Sequence, residues 1–364
     1  MSGGEPAQTP APSEDASAGA RGGTQVGAVT PRAKNAATVD DLPPPGRETL
    51  RQRLSYWGYR VAWDSVAHLP EPIVDPAPAA VGRVWAMLGS AGQRAQLRAN
   101  LARVMGRPSA DVLDRAVDDA YRSYTRYWMD SFRLHTMDPA TVMAHSDGHQ
   151  LALVDDMVAD GDGGILATAH LGSWDIGAMF TTERNWNMAV VAEVVEPRRL
   201  FDRFVDLRRQ AGIEVFPLVR GGDMVDRMAG AVHRGGLATL LADRDLGRRG
   251  PIVEFFGEPC RLPAGTAVLA RRTGRPVATG AFLARGPGEW TGHIQSRIDV
   301  SALSVVAGTQ AIAHELEAMI SQYPDQWHVF VPNWLVDREP DHPVSVSWRE
   351  TGSWPSGWDP EAQQ

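Results

Sequence analysis

The chain has 364 residues, 43% of them hydrophobic, which is enough to build a sizeable core in one large domain or two small ones. Its net charge of −8 argues against a general nucleic-acid binder, and its single cysteine, Cys260, excludes an internal disulfide framework and fits a reducing cytoplasm. No segment approaches the roughly 18 uninterrupted apolar residues of a membrane-spanning helix, so the chain is expected to be soluble or peripheral.

Residues 1–46 are almost entirely Ala, Gly, Pro, Ser, Thr, Asp and Glu. That composition buries too little apolar surface to offset the entropy of ordering it, so the stretch reads as a disordered leader. It lacks the basic start and apolar core of a secretory signal. Residues 47–135 read as helical. Between 51 and 63, Leu54, Tyr56, Trp57, Tyr59, Val61 and Trp63 are interleaved with Arg51, Arg53 and Arg60. This is the composition of an interfacial helix, or of a core-edge helix whose arginines snorkel to water. Residues 91–107 form a basic amphipathic pattern. Residues 111–129 place Val112, Leu113, Ala116, Val117, Ala120, Tyr124 and Trp128 at the spacing of a packed helix.

After residue 150 the pattern alternates. Short apolar runs at 163–170, 188–194, 214–218, 237–241 and 276–283 read as strands. The segments 171–180, 199–212, 223–233 and 264–273 read as the helices between them. That order predicts an α/β fold with a mixed, mostly parallel central sheet flanked by helices. Residues 290–298 are expected as an antiparallel edge strand, 308–323 as a helix, and 341–364 as a C-terminal tail.

The chemistry concentrates in Ala169-His170-Leu171-Gly172-Ser173-Trp174-Asp175. His170 ends a predicted strand, where open α/β sheets bind ligands. Asp175 falls about one turn into the next helix, where its carboxylate could accept from a ring nitrogen of His170. That would be the His–carboxylate half of a triad without a serine. Such a pair suits a base that takes a proton from a substrate hydroxyl, although the same spacing also occurs in a strand-end histidine bonded to a helix cap. Arg244, Arg248 and Arg249 follow another strand end and have the planar fork that suits phosphate. They could equally pair with Asp243, Asp245 and Glu254 in a solvated loop. Trp174, Phe180, Phe255 and Phe256 are core or channel walls. His145, Asp147 and His149 lack recognised metal-ligand spacing, and Cys260 has no evident histidine partner.

These residues resemble the lysophospholipid acyltransferase superfamily, whose His-x-x-x-x-Asp motif is matched by His170 and Asp175. The resemblance is to the branch holding the lipid A late acyltransferases and the phosphatidylinositol mannoside acyltransferases. It spans about residues 48–340. It includes Trp57-Gly-Tyr, Leu97-Arg-Ala-Asn-Leu-Ala-Arg103, Arg248-Arg-Gly-Pro-Ile-Val-Glu-Phe-Phe-Gly257, Leu262-Pro-Ala-Gly265 and Gln326-Trp-His-Val-Phe-Val-Pro-Asn-Trp334. It implies a glycerol-3-phosphate acyltransferase-like domain over 47–340, with a membrane-proximal helical part (47–135) and a catalytic α/β part (150–340). It also implies a charge relay from His170 to an acidic residue, matched by Asp243. Glu193 and Arg208 match a glutamate and a donor-contacting arginine of the mannoside branch, while Arg272 departs from an acidic residue common there. The expected reaction moves a long-chain acyl group from acyl-CoA, as co-substrate, to a hydroxyl of a glycolipid. It would run at the cytoplasmic membrane surface without metal or other cofactor. A different lipid acceptor and hydrolysis by water are the alternatives.

Overall fold

A computed structural model of the chain describes residues 39–363 apart from 43, 149–150, 160 and 220–222. Most of the leader lies outside the described residues. Its last part does not behave as free chain, because Val39 and Leu42 are buried against Phe201, Val205 and Val215.

The strands in chain order are β1 (Ser146–Asp147), β2 (Gly164–Thr168), β3 (Met188–Glu193), β4 (Glu214–Leu218), β5 (Leu237–Leu241), β6 (Ile252–Phe255), β7 (Glu258–Arg261), β8 (Val277–Gly286) and β9 (Glu289–Ile298). Seven of them form one sheet in the order β1-β9-β8-β2-β5-β3-β4. The β2–β5, β2–β8, β3–β4 and β3–β5 pairs are parallel, and β8–β9 is antiparallel. The expected mixed, mostly parallel sheet is therefore present. β2 and β5 lie at its centre, covered on both faces, which explains their nearly continuous apolar runs. β9 is antiparallel as expected but is not the edge, since Ser146 and Asp147 add a short strand beyond it. The β6–β7 hairpin forms a separate two-stranded ribbon that the sequence pattern did not mark.

Helices from the first part of the chain cover the sheet. The Leu50–Ala67 helix starts at a capping box, with Gln52 N–H bonded to Thr49 Oγ1 and Thr49 N–H to Gln52 Oε1. One face buries Trp63 against Phe132 and Phe204. The other exposes Leu50, Leu54, Trp57 and Val61 beside Arg51 and Arg53. The helix thus has one packed face and one exposed apolar face. In the Ala91–Val104 helix, Arg94 and Arg98 pair with Asp118 and Asp114 of the Ala110–Arg133 helix. Its basic face is therefore answered largely by carboxylates of the neighbouring helix. The C-terminal tail is ordered: Val344 of the Pro343–Thr351 helix is buried with Ile252 and Leu335, and Trp354 and Trp358 pack on them.

Candidate active site

Sheet register brings the central pair together. Thr168 of β2 is aligned with Leu241 of β5, and Ala242 N–H donates to the Thr168 carbonyl. Two residues beyond each strand end stand His170 and Asp243. Asp243 Oδ1 lies 2.8 Å from His170 Nδ1, and the His170 backbone N–H donates to Asp243 Oδ2 at 3.0 Å. The chain then turns at Gly172, whose φ of +71° favours glycine and whose missing Cβ would sit 2.2 Å from the Phe282 carbonyl oxygen.

Asp243 is fully buried, and a late segment closes over it. Trp327 Nε1–H donates to its Oδ2, Asn333 Nδ2 donates to its carbonyl, and the His328 backbone N–H donates to the His170 carbonyl. Burial alone would raise the Asp243 carboxyl. The adjacent His170 and the hydrogen bonds from His170 and Trp327 outweigh it and hold the group below the usual carboxylate range. An ionised carboxylate can only accept, so in the neutral imidazole Nδ1 of His170 carries the proton and Nε2 holds the lone pair. The imidazole stays partly open to solvent, at 22% of its side chain.

The hydrogen bond expected between Asp175 and His170 is not formed. Asp175 lies in the first turn of the Trp174–Glu183 helix, and its Oδ1 accepts from Nε and Nη2 of Arg208 at 3.1 and 3.0 Å. Its Oδ2 accepts from the hydroxyls of Tyr127 and Ser131. Burial and the Asp175 carboxylate push the Tyr127 phenol well above its ordinary value, so it remains a donor. The helix that carries Asp175 turns its carboxylate toward the N-terminal helices rather than back to the strand end.

His170, Asp175, Glu193 and Arg208 line one cavity of about 430 Å³. Its wall is otherwise mainly apolar and includes Leu166, Val190, Phe201, Phe282 and Ile294. Trp174 and Phe180 belong to this wall, whereas Phe255 is core, packed beside Trp327 and Trp334. Tyr59 and Trp128 reach the cavity from the N-terminal helices. Glu193 ends β3, and burial raises its carboxyl above the ordinary value, against the pull of Arg244 and His170.

Arg244, Arg248 and Arg249 lie in the loop after β5, outside the cavity wall. The carboxylate pairings open to them are not made. Asp245 instead accepts from the backbone N–H groups of Gly247, Arg249 and Gly250, and Asp243 is occupied by His170 and Trp327. Arg272 pairs with Asp226 on exposed helices. His145 Nδ1 bonds the Thr141 carbonyl, and His149 lies outside the described residues. Cys260 is buried, with its thiol pushed up by that burial. Trp327, Asn333, Tyr127 and Ser131 were not singled out as site residues. The Gln326–Trp334 block was a visible signal for the first two, but no spacing rule links it to Asp243.

Residues 45–336 match the family model described as bacterial lipid A biosynthesis acyltransferase. The chain is 36% identical over 300 residues to the phosphatidylinositol mannoside acyltransferase of Mycobacterium tuberculosis, a match covering 81% of this chain and 93% of that protein. It is likewise 36% identical over 299 residues to the protein of that name from Mycolicibacterium smegmatis, covering 80% and 95% respectively. The matched span contains the sheet, the His170 loop and the closing segment, and the chain is an acyltransferase that belongs to the bacterial lipid A biosynthesis acyltransferase family.

Proposed function

We propose that the protein transfers a long-chain fatty acyl group from acyl-CoA to a hydroxyl of a glycolipid, specifically a mannose of a phosphatidylinositol mannoside. The observation that carries this reading is the His170–Asp243 pair at 2.8 Å, with His170 on the wall of an apolar cavity. In the proposed reaction the acyl chain occupies the cavity, with its thioester carbonyl beside His170. The acceptor oxygen attacks that carbonyl carbon as Nε2 takes its proton. The tetrahedral intermediate collapses to the new ester and expels the CoA thiolate, which recovers the proton from the imidazolium. Asp243 keeps Nδ1 protonated and balances the transient positive charge. Arg208, set by Asp175, faces the donor within the cavity, and Glu193 faces the acceptor side.

The mannoside acceptor rests on what the relatives are named for, and the CoA donor on the family resemblance. No helix among the described residues is long and apolar enough to cross a membrane. Peripheral attachment to a membrane, which we place on its cytoplasmic face, is supported as attachment by the stripe of Leu50, Leu54, Trp57 and Val61 flanked by exposed Arg51 and Arg53. Tyr59, on the same helix, lines the cavity, so this surface adjoins the route a lipid would take.

The test is CoA release from palmitoyl-CoA, with and without phosphatidylinositol mannoside, by wild type and His170→Ala, with products identified by mass spectrometry. Release that needs both the acceptor and His170, and yields acylated lipid, is the expected result. Release of equal rate without acceptor would establish a hydrolase instead.

A further inference from the structure

Arg338 was not singled out as a site residue, yet its position is unusual. It closes the short Leu335–Arg338 helix, immediately after the segment that holds Asp243. Its Nη1 is buried and has no hydrogen-bond partner among the described residues. The two carboxylates beside it in sequence are turned away: Asp337 pairs with Arg103 and Glu339 with Arg261. Its charged neighbours include two more arginines, Arg248 and Arg244, together with Asp245. Both oxygens of Asp245 are already occupied by the N–H groups of Gly247, Arg249 and Gly250. Those three bonds also set the turn that presents Arg248 with φ of +54°. The Arg244 charge is near enough to act on Glu193 of the cavity wall and on the Tyr124 phenol.

A partly buried guanidinium beside two like charges is costly unless an anion answers it. Burial and the Arg248 and Arg244 charges depress the Arg338 pKa, and the nearby Asp245 offsets them only in part. Tetrahedral phosphate oxygens fit the forked donors of several arginines better than a single carboxylate does.

We infer that Arg244, Arg248 and Arg338 together form a phosphate-binding subsite at the loop that follows Asp243. This deepens the reading above and rests on it for the source of the phosphate, because CoA and the inositol lipid both carry one. Arg208, already bonded to Asp175, is not part of it.

The test uses the full chain with Arg248→Gln, Arg338→Gln and the double variant. Calorimetry reads the Kd for CoA, and steady-state kinetics read KM for palmitoyl-CoA, for the phosphate-free thioester palmitoyl-pantetheine, and for the mannoside acceptor. If the phosphate belongs to the donor, each single change weakens CoA about 10-fold or more, while KM for palmitoyl-pantetheine is unmoved. The double variant then loses less than the product of the singles, because the two arginines share one ligand. If it belongs to the acceptor, CoA affinity is unchanged and KM rises about 10-fold for phosphatidylinositol mannoside but not for a phosphate-free mannolipid. Should Arg338→Gln fail to fold, the exposed Arg248→Gln carries the test. Unchanged CoA affinity and unchanged acceptor KM in the folded variants overturn the subsite. Weakened binding of CoA or glycerophosphoinositol by a protein that transfers no acyl group would sustain the subsite and reject the acyl-transfer reading.

Discussion

Asp243 and Asp175 are both buried aspartates beside the His170 loop, but their carboxylates are answered from different directions. Asp243 takes the His170 ring, the His170 backbone and the Trp327 indole. Asp175 takes Arg208, Tyr127 and Ser131, and so joins the sheet layer to the N-terminal helices. The first arrangement sets a histidine tautomer, and the second neutralises a buried arginine on the cavity wall. The motif spacing His-x-x-x-x-Asp therefore marks two residues of one site without marking a bond between them.

The sharpest way to break this comparison is to remove each carboxylate in turn. Asp243→Asn is expected to lower kcat by about 10²–10⁴-fold with little change in KM, because the amide no longer enforces the reactive tautomer. Asp175→Asn should lower kcat far less and raise KM for the donor. Steady-state kinetics that found equal losses of kcat, with unchanged donor KM at position 175, would contradict the division of roles.

Stability should separate the two in the other sense. Asp175→Ala leaves the Arg208 guanidinium buried and uncompensated, and should cost about 3–5 kcal/mol in urea unfolding. Asp175→Val combined with Arg208→Met should recover much of that loss, since a buried pair replaced together leaves no orphan charge. Failure of the double variant to recover would mean that Asp175 serves chiefly Tyr127 and Ser131.

A third aspartate sharpens the comparison through pH. Asp130 accepts from Trp290 Nε1 and Ser173 Oγ, and burial pushes its carboxyl up to about 6. The folded chain then holds this proton more tightly than the unfolded one, so stability falls as pH rises from about 4 to about 6. Asp130→Asn should abolish that fall, worth at most about 3 kcal/mol, in thermal denaturation followed from pH 4 to 8. Asp243, held below the usual range, contributes with the opposite sign. Its stabilisation is present above the ordinary carboxylate range and is lost as pH falls through its lowered value. The smallest effect on folding belongs to the exposed stripe. Trp57→Glu should change stability by no more than about 0.5 kcal/mol, yet abolish flotation with anionic vesicles; retained flotation would remove this helix from the membrane contact.

Much of the fold was legible along the chain. The apolar runs of β2, β3, β4 and β5 and the periodic Ala110–Arg133 helix are local patterns, because each element must bury a face of its own period. The packing of the leader's end and of the tail was not legible, for a related reason. Val39, Leu42 and Trp358 are few and scattered, and their burial depends on Phe201, Val215 and Ile252, which lie far away in sequence. The β6–β7 hairpin was missed because its two strands have four residues each, joined by Phe256 and Gly257 at positive φ.

Of the candidate site, sequence by itself determined that His170 ends a buried apolar run, that a turn follows at Gly172, that Glu193 lies near the end of a second strand, and that Asp243 follows a third. Those are consequences of local hydrophobic pattern and backbone conformation. Tertiary structure alone decided which carboxylate meets the imidazole. The alignment of Thr168 with Leu241 carries His170 and Asp243 to the same level, while the first turn of the next helix points Asp175 toward Arg208. It also decided that Trp327 and Asn333, over 150 residues beyond His170, close over Asp243. Strand register and the return of a distant segment are long-range pairings, and no periodicity within one stretch of chain encodes them.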